Sequence, residues 1–190
     1  KQIINNCVEG NLDVDKLPTF DIEYLFLRLR AKSVGETVAL GLRPWGCPQN
    51  DGKLCENSTQ VDIDLEKVTV IKNDKHSNKI MLDDKIGIKL GYPNLDKLGN
   101  VEKIDTAETG INIIKDCIEM IFTEEETYEK GTFSEKELDE FIDSLNTQQF
   151  TLIRDFFDTM PMLKHTVKYK CDICGEKKET TIQGLNSFFG

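Results

Sequence analysis

Long apolar runs and positive charge are what this sequence has least of. No stretch of 18 consecutive apolar residues occurs, and the N-terminal residues show neither a basic segment followed by an apolar one nor a cleavage site. We therefore expect a soluble, cytosolic protein rather than a membrane or secreted protein. Because 34 acidic residues outnumber 24 basic ones, the net charge of -10 repels phosphate backbones and anionic membranes. Neither nucleic acid nor a membrane is expected as a general partner.

Recognisable catalytic and phosphate-binding motifs are also missing. The sequence contains no glycine-rich phosphate loop, no dinucleotide-binding fingerprint and no nucleophile elbow. Asp13 and Asp15 resemble the start of a calcium loop, but Pro18 stands at the sixth position, where such a loop requires glycine. We therefore predict a protein without enzymatic activity.

The composition is that of a folded domain, with 38% hydrophobic and 31% charged residues and no low-complexity tract. We predict a single domain over residues 1–190, of the α+β class, with a helical core, a small antiparallel β insertion at about 37–92 and a C-terminal zinc-ribbon-like hairpin. The expected division is a helical part over 1–36 and 107–161, the β insertion within 37–95, and the cysteine hairpin over 164–190. Since residue 1 is not methionine and lies inside a helical pattern, we expect a fragment that lacks its N-terminus.

Apolar spacing predicts the individual helices. Residues 21–30 hold six apolar side chains, too many for a half-exposed helix, so this helix should be central to the core or to an interface. Residues 109–121 place apolar side chains at spacings of three and four on one face. Ser134 and Glu137 form a capping box for the next helix, and a further helix is expected over about 147–160.

The cysteines point to a metal site. Six cysteines in 190 residues are too few for a disulfide scaffold. Cys171-x-x-Cys174, followed by Gly175, has metal-ligand spacing and lies between two strand patterns, as in half of a zinc ribbon. Cys47 and Cys55 lie in a turn-rich stretch with seven residues between them. We predict that these four thiolates bind one structural zinc ion.

The sequence also allows other sets of metal ligands. The spacing of Cys47 and Cys55 is wider than usual, so the C-terminal pair could bind zinc without them. His165 could replace a thiolate, although a strand-end histidine is the more ordinary interpretation, and His76 is expected to face solvent. Two further cysteines, Cys7 and Cys117, lie on apolar helix faces and are expected in the core.

The chain ends in two phenylalanines, Phe188 and Phe189, just before Gly190. A free apolar tail is costly in water. These residues should therefore pack back on the domain or dock into a partner protein.

Several of these segments together resemble the T4-type phage baseplate hub protein family, which includes a hub subunit and a related hub assembly factor. The resemblance covers nearly the whole chain. It rests on the run from Phe20 to Glu36, Tyr92-Pro93 after a hairpin, Met160-Pro-Met-Leu163 before the cysteine turn, and the terminal Gly-Leu-x-Ser-Phe-Phe-Gly.

The resemblance implies a non-enzymatic late viral protein, either a component of the central hub of a contractile-tailed phage or a factor that promotes hub assembly. It implies other hub and tail proteins as partners, with a homo-oligomer also open, and a place in the host cytoplasm during assembly or in the virion tail baseplate. The helix over residues 20–36 and the Phe188-Phe189 end are the candidate interaction surfaces.

Two function classes other than a hub protein also fit parts of the sequence. A phage zinc-ribbon protein that binds nucleic acid or regulates transcription would use the lysines gathered around the cysteine turn, which are Lys164, Lys168, Lys170, Lys177 and Lys178. A metal hydrolase would need a zinc ion with one coordination position left open. The acidic net charge argues against the first, and the absence of a catalytic motif argues against the second.

Overall fold

The computed structural model describes the chain except for residues 1, 11, 43–57, 95–106, 173 and 190. The chain forms two compact units. The first unit consists of Lys1–Leu12, Phe20–Ile71 and Pro161–Gly190, and the second of Asp13–Thr19 and Lys72–Met160. No helix in the described part of the chain is both long and apolar enough to cross a lipid bilayer.

Helices and strands alternate along the described residues. The helices are α1 (Gln2–Cys7), α2 (Thr19–Val34), α3 (Ala107–Cys117), α4 (Glu135–Ser144) and α5 (Thr147–Thr159). The strands are β1 (Thr37–Leu42), β2 (Thr59–Asp64), β3 (Thr69–Ile71), β4 (Lys79–Met81), β5 (Gly87–Leu90), β6 (Ile118–Phe122), β7 (Thr127–Glu129), β8 (Met162–Lys170) and β9 (Lys177–Gln183). All strand pairs are antiparallel.

The first unit contains two small sheets and the helix α2. Strands β1 and β2 pair with each other, while β8 pairs with β3 on one side and β9 on the other. One face of α2 packs on both sheets, and the buried side chains of this core are Leu27, Ala31, Leu40, Ile63, Leu65, Val68, Leu163, Val167, Ile182 and Phe188. Burial of these side chains is the main term that stabilises the unit.

Helix α2 carries apolar side chains on two opposite faces. Phe20, Leu27 and Ala31 are buried, as expected for the face that packs on the protein. Ile22, Leu25, Phe26 and Leu29 repeat at helical spacing on the other side and are only half-buried. This explains why the helix has more apolar residues than a single packing face needs.

The second unit has one four-stranded sheet, in the order β4-β5-β6-β7, and the helices α3, α4 and α5. Its buried side chains are Leu82, Ile88, Leu90, Cys117, Ile118, Ile142, Ile153 and Phe156. Gly87 begins β5 where the ring of Phe122 lies over it, and a Cβ atom there would lie only 2.4 Å from that ring, so a larger residue would force the Phe122 side chain to move.

The predicted fold class is wrong. An α+β fold with a helical core, a β insertion at about 37–92 and a separate zinc-ribbon-like hairpin does not describe this chain, which is β-rich and mixed, with three antiparallel sheets in its described part. Strands of the supposed insertion are divided between the two units, and β8 of the C-terminal hairpin pairs with β3. The physical reason is that each strand edge needs a partner for its N–H and C=O groups, and sequence periodicity does not show which strand that is.

The helix predicted over residues 109–121 is also too long. Helix α3 ends at Cys117, and β6 begins at the next residue and pairs with both β5 and β7. Ile118 and Ile121 fit the helical spacing, but they are β-branched and suit a central strand equally well. Tertiary pairing therefore overrides the local pattern.

The helix-capping prediction is confirmed. Ser134 Oγ accepts a hydrogen bond from the Glu137 N–H, and Glu137 Oε2 accepts one from the Ser134 N–H at 2.7 Å. Asn146 and Gln149 form the same reciprocal arrangement at the start of α5. Both caps satisfy backbone N–H groups that the helices leave unpaired.

Candidate metal centre and interaction surfaces

The turn between β8 and β9 holds Cys171 and Cys174. The Cys171 N–H donates to the Glu176 carbonyl at 2.9 Å, and the Gly175 N–H donates to the Cys171 carbonyl at 2.8 Å. Gly175 has a φ of +71°, which favours glycine. Cys171 is 2% exposed and Cys174 is exposed, so one thiol lies in the protein and the other at its surface.

A hydrogen bond joins this turn to strand β2. Thr59 is buried and pairs with Leu42 across β1 and β2. The Thr59 Oγ1 accepts a hydrogen bond from the Asp172 N–H at 3.3 Å. The last residue of β1 and the first residue of β2 therefore lie beside the cysteine turn.

The four predicted ligands are only partly described. Cys47 and Cys55 lie outside the described residues. Among the residues that are described, no group of three or more His, Cys, Asp or Glu side chains could hold a metal ion. His165 does not lie near the turn, because six residues of extended strand separate it from Cys171 by roughly 20 Å.

The remaining two cysteines differ from each other. Cys117 is fully buried in the second unit, as predicted. The same prediction is wrong for Cys7, which is exposed. Helix α1 is only six residues long and buries Ile4 alone, so its apolar pattern overstated the packed surface.

His76 is half-buried in a side-chain contact rather than facing solvent. Its Nδ1 lies 3.0 Å from Thr159 Oγ1 and its Nε2 lies 3.0 Å from the Tyr92 hydroxyl. The ring also stacks on Tyr92 and lies against Phe156, with centroids 5.0 Å apart in the second case. Because the Thr159 hydroxyl donates to the Asp155 carbonyl, it is placed to accept from His76 Nδ1–H. A neutral imidazole satisfies both contacts, with Nε2 accepting from the Tyr92 hydroxyl.

The two terminal phenylalanines have different environments. Phe188 is fully buried in the core of the first unit, so it packs back on the protein. Phe189 is 37% exposed and lies edge-on to Phe26 of α2, with ring centroids 6.3 Å apart. Near this contact, burial raises the pKa of Glu23, and a hydrogen bond with the Leu185 backbone opposes that shift.

These contacts define one apolar surface, which we call the α2 surface. It consists of the half-buried side chains Ile22, Leu25, Phe26 and Leu29 together with Phe189. Residues from near the two ends of the sequence thus contribute to the same surface. Partly exposed apolar side chains grouped in this way are a candidate protein interaction site.

A family model described as T4 bacteriophage base plate protein matches residues 1–190, the whole chain. The chain belongs to the T4 bacteriophage base plate protein family. The resemblance drawn from the sequence is therefore confirmed at this level. Comparison with curated proteins and with solved structures gave no match.

Family membership indicates a structural role in the phage baseplate, with other baseplate proteins as partners and the virion tail as the place of action. Two features of the described part of this base plate protein suit that role, the α2 surface and the cysteine turn. The first is a candidate site for a partner protein and the second for a metal ion.

The His76 contact gives a test of how the base plate protein responds to pH. Burial lowers the pKa of His76. His76 therefore binds a proton more readily in the unfolded chain than in the folded one. The free energy of unfolding should fall as the pH drops below about 6.5, the ordinary pKa of histidine. In His76→Gln, this part of the pH dependence should disappear from urea unfolding curves measured at neutral and mildly acidic pH.

His165→Gln is the matched control, because the sequence contains two histidines. The control should keep the pH dependence of the parent protein. Equal pH dependence in His76→Gln and in the parent would contradict the assignment.

Proposed function

We propose that this base plate protein acts at the central hub of the baseplate, either as a hub component or as a factor that promotes hub assembly. The observation that carries the proposal is the α2 surface. The sequence run around Phe26 and the terminal run around Phe189 are the two most specific points of resemblance to hub proteins. The contact between Phe26 and Phe189 brings these two runs together.

The α2 surface has the features of a site for a protein partner. Ile22, Leu25 and Leu29 follow the spacing of one helix face, which is the spacing that a partner helix or groove reads. Phe26 and Phe189 add aromatic side chains, which are enriched at interfaces. A partner that covers this surface removes apolar area from water without disturbing the core on the opposite face of α2.

An affinity-tagged chain expressed during phage infection tests this proposal. The parent protein should capture other tail and hub proteins, identified by mass spectrometry. Leu25→Asp combined with Leu29→Asp should abolish the capture, because it places two charges in the apolar contact. Val34→Asp is the control, since Val34 is exposed at the end of the same helix.

The same experiment separates the two forms of the proposal. A hub component should be found both in tail precursors and in purified virions, whereas an assembly factor should be found in the precursors alone. Capture of hub proteins by the double variant at the level of the parent would refute the role of the α2 surface.

We also propose that Cys47, Cys55, Cys171 and Cys174 bind one structural zinc ion. Four thiolates are a donor set that zinc favours in closed structural sites. The hydrogen bond between Thr59 and Asp172 supports the shared site, because it holds the start of β2, which follows Cys55 closely in sequence, against the cysteine turn. The metal would join the chain between β1 and β2 to the C-terminal hairpin and would take no part in chemistry.

A further inference from the structure

The outer face of the β8–β9 hairpin is basic. Lys164, Lys168 and Lys170 lie on one side of β8, and Lys177 lies opposite Lys170 on β9. Glu179 lies opposite Lys168 and pairs with it at 3.7 Å, so the other lysines give the face its net positive charge. The opposite face of the hairpin packs inwards through Val167 and Ile182. We call the four lysines the hairpin lysine face.

Two of these lysines are placed at a cost to stability. Lys170 and Lys177 are directly opposite each other, and like charges in such pairs repel. Lys79 and Lys89 are also opposite each other on β4 and β5, but there Glu119 neutralises Lys89 at 2.8 Å. Within the described residues, no carboxylate forms an ion pair with Lys170 or Lys177. An acidic partner would relieve this repulsion.

The acidic charge of the chain is concentrated in the other unit. The second unit contains 22 acidic and 12 basic residues, and the first unit contains 12 of each, so the whole net charge of -10 belongs to the second. Helix α4 carries part of this acidic charge. Its exposed acids are Glu135, Glu137, Asp139, Glu140 and Asp143, of which Glu137 caps the helix.

Helix α4 presents these acids on a rigid support. Leu138, Phe141 and Ile142 pack on the core of the second unit, which directs the acidic side to solvent. Lysines balance two of these negative charges. Lys136 Nζ lies 3.3 Å from Glu140 Oε1, and Lys115 pairs with Asp139. Glu135 and Asp143 keep the face acidic.

We infer that the hairpin lysine face of one copy binds the acidic side of α4 of a second copy. The complementary charges lie on different elements of the chain, so the contact joins unlike surfaces of the two copies. A second copy is favoured over nucleic acid as the occupant, because the chain itself carries a localised acidic surface on α4 that complements the lysines. The inference does not depend on the hub proposal.

Sedimentation velocity of the full chain over a wide range of concentration tests the inference. At low salt the parent should form oligomers, and the association should weaken about tenfold or more at high salt, where exposed charges are screened. The triple variant K168E/K170E/K177E should remain monomeric. The control K72E/K75E/K79E makes the same change in net charge at exposed lysines of the second unit and should still associate.

A charge exchange identifies the surface on the other copy. The variant E135K/E140K/D143K should also be monomeric by itself. A mixture of this variant with K168E/K170E/K177E should associate again, because the exchanged faces are complementary between the two variants. Circular dichroism confirms that each variant is folded before the comparison.

The opposite results would overturn the inference. A parent that stays monomeric at low salt, or a hairpin variant that associates as well as the parent, excludes the hairpin lysine face as a contact between copies. Failure of the mixture to associate excludes α4 as its counterpart. Binding of the parent to double-stranded DNA through these same lysines would favour nucleic acid as the occupant instead.

Discussion

Replacing Phe188 by alanine should lower the free energy of unfolding by about 3–5 kcal/mol, the range found for large-to-small changes of a buried aromatic residue. Phe188 is fully buried and packs with the core of the first unit. A short helical turn over Leu185–Phe188 carries it inwards, and the Gly184 N–H fixes the start of this turn by donating to the Leu163 carbonyl at 2.9 Å. The substitution would leave a cavity in a close-packed interior.

Phe189→Ala is the matched control, one residue further along the chain. Phe189 is partly exposed and its contact with Phe26 is a single aromatic pair, so its loss should cost about 0.5–1.5 kcal/mol. Urea unfolding followed by circular dichroism measures both variants. If Phe188→Ala does not fold, Phe188→Leu should fold with an intermediate loss of stability. Equal losses for the two alanine variants would contradict the placement of Phe188.

Removal of the proposed zinc ion is the other change with a large expected effect. Cys171→Ser should eliminate bound zinc and lower the free energy of unfolding by about 3 kcal/mol or more, because the binding energy of a structural metal contributes to folding. For a chain of this size that loss corresponds to about 6–12 °C in Tm. Elemental analysis and thermal unfolding of the same preparation measure both quantities, and a chelator should reproduce the effect on the parent protein.

The remaining cysteines provide the controls for this experiment. Cys7→Ser should keep the zinc and the Tm of the parent, because Cys7 is exposed and is not a proposed ligand. Cys47→Ser and Cys55→Ser should lose zinc as Cys171→Ser does if all four thiolates share one ion. An unchanged zinc content in Cys171→Ser would exclude the proposed site, and retention of zinc in both upstream variants would restrict the ligands to the C-terminal pair.

Local chemistry predicted several parts of the fold from sequence. The capping box at Ser134 and Glu137 was predictable because both partners lie within one turn of helix. Long-range features could not be predicted in this way. The pairing of β3 with β8 joins residues more than 90 positions apart, and no local pattern distinguishes that partner from another strand. For the same reason, the apolar spacing over residues 109–121 predicts one helix, although its last residues form the strand β6.

The candidate sites show the same division between local and distant information. The cysteine turn was visible in sequence because its spacing and its flanking strands are local. The contact of Phe26 with Phe189, the hydrogen bond of Thr59 and the contacts of His76 depend on residues that meet only after folding. Helix α2 carries a local signal, since its excess of apolar residues predicts a helix central to the core or to an interface.

The order of the two units along the chain has a consequence for synthesis on the ribosome. The second unit is almost continuous in sequence, whereas β3 of the first unit must wait for β8, which is made after the whole of residues 72–160. The second unit can therefore fold during translation before the sheet of the first unit closes, because that sheet forms only once β8 has been made. Until then the apolar face of α2 lacks much of its core, and this interval is when the nascent protein is most exposed to aggregation or to capture by a chaperone.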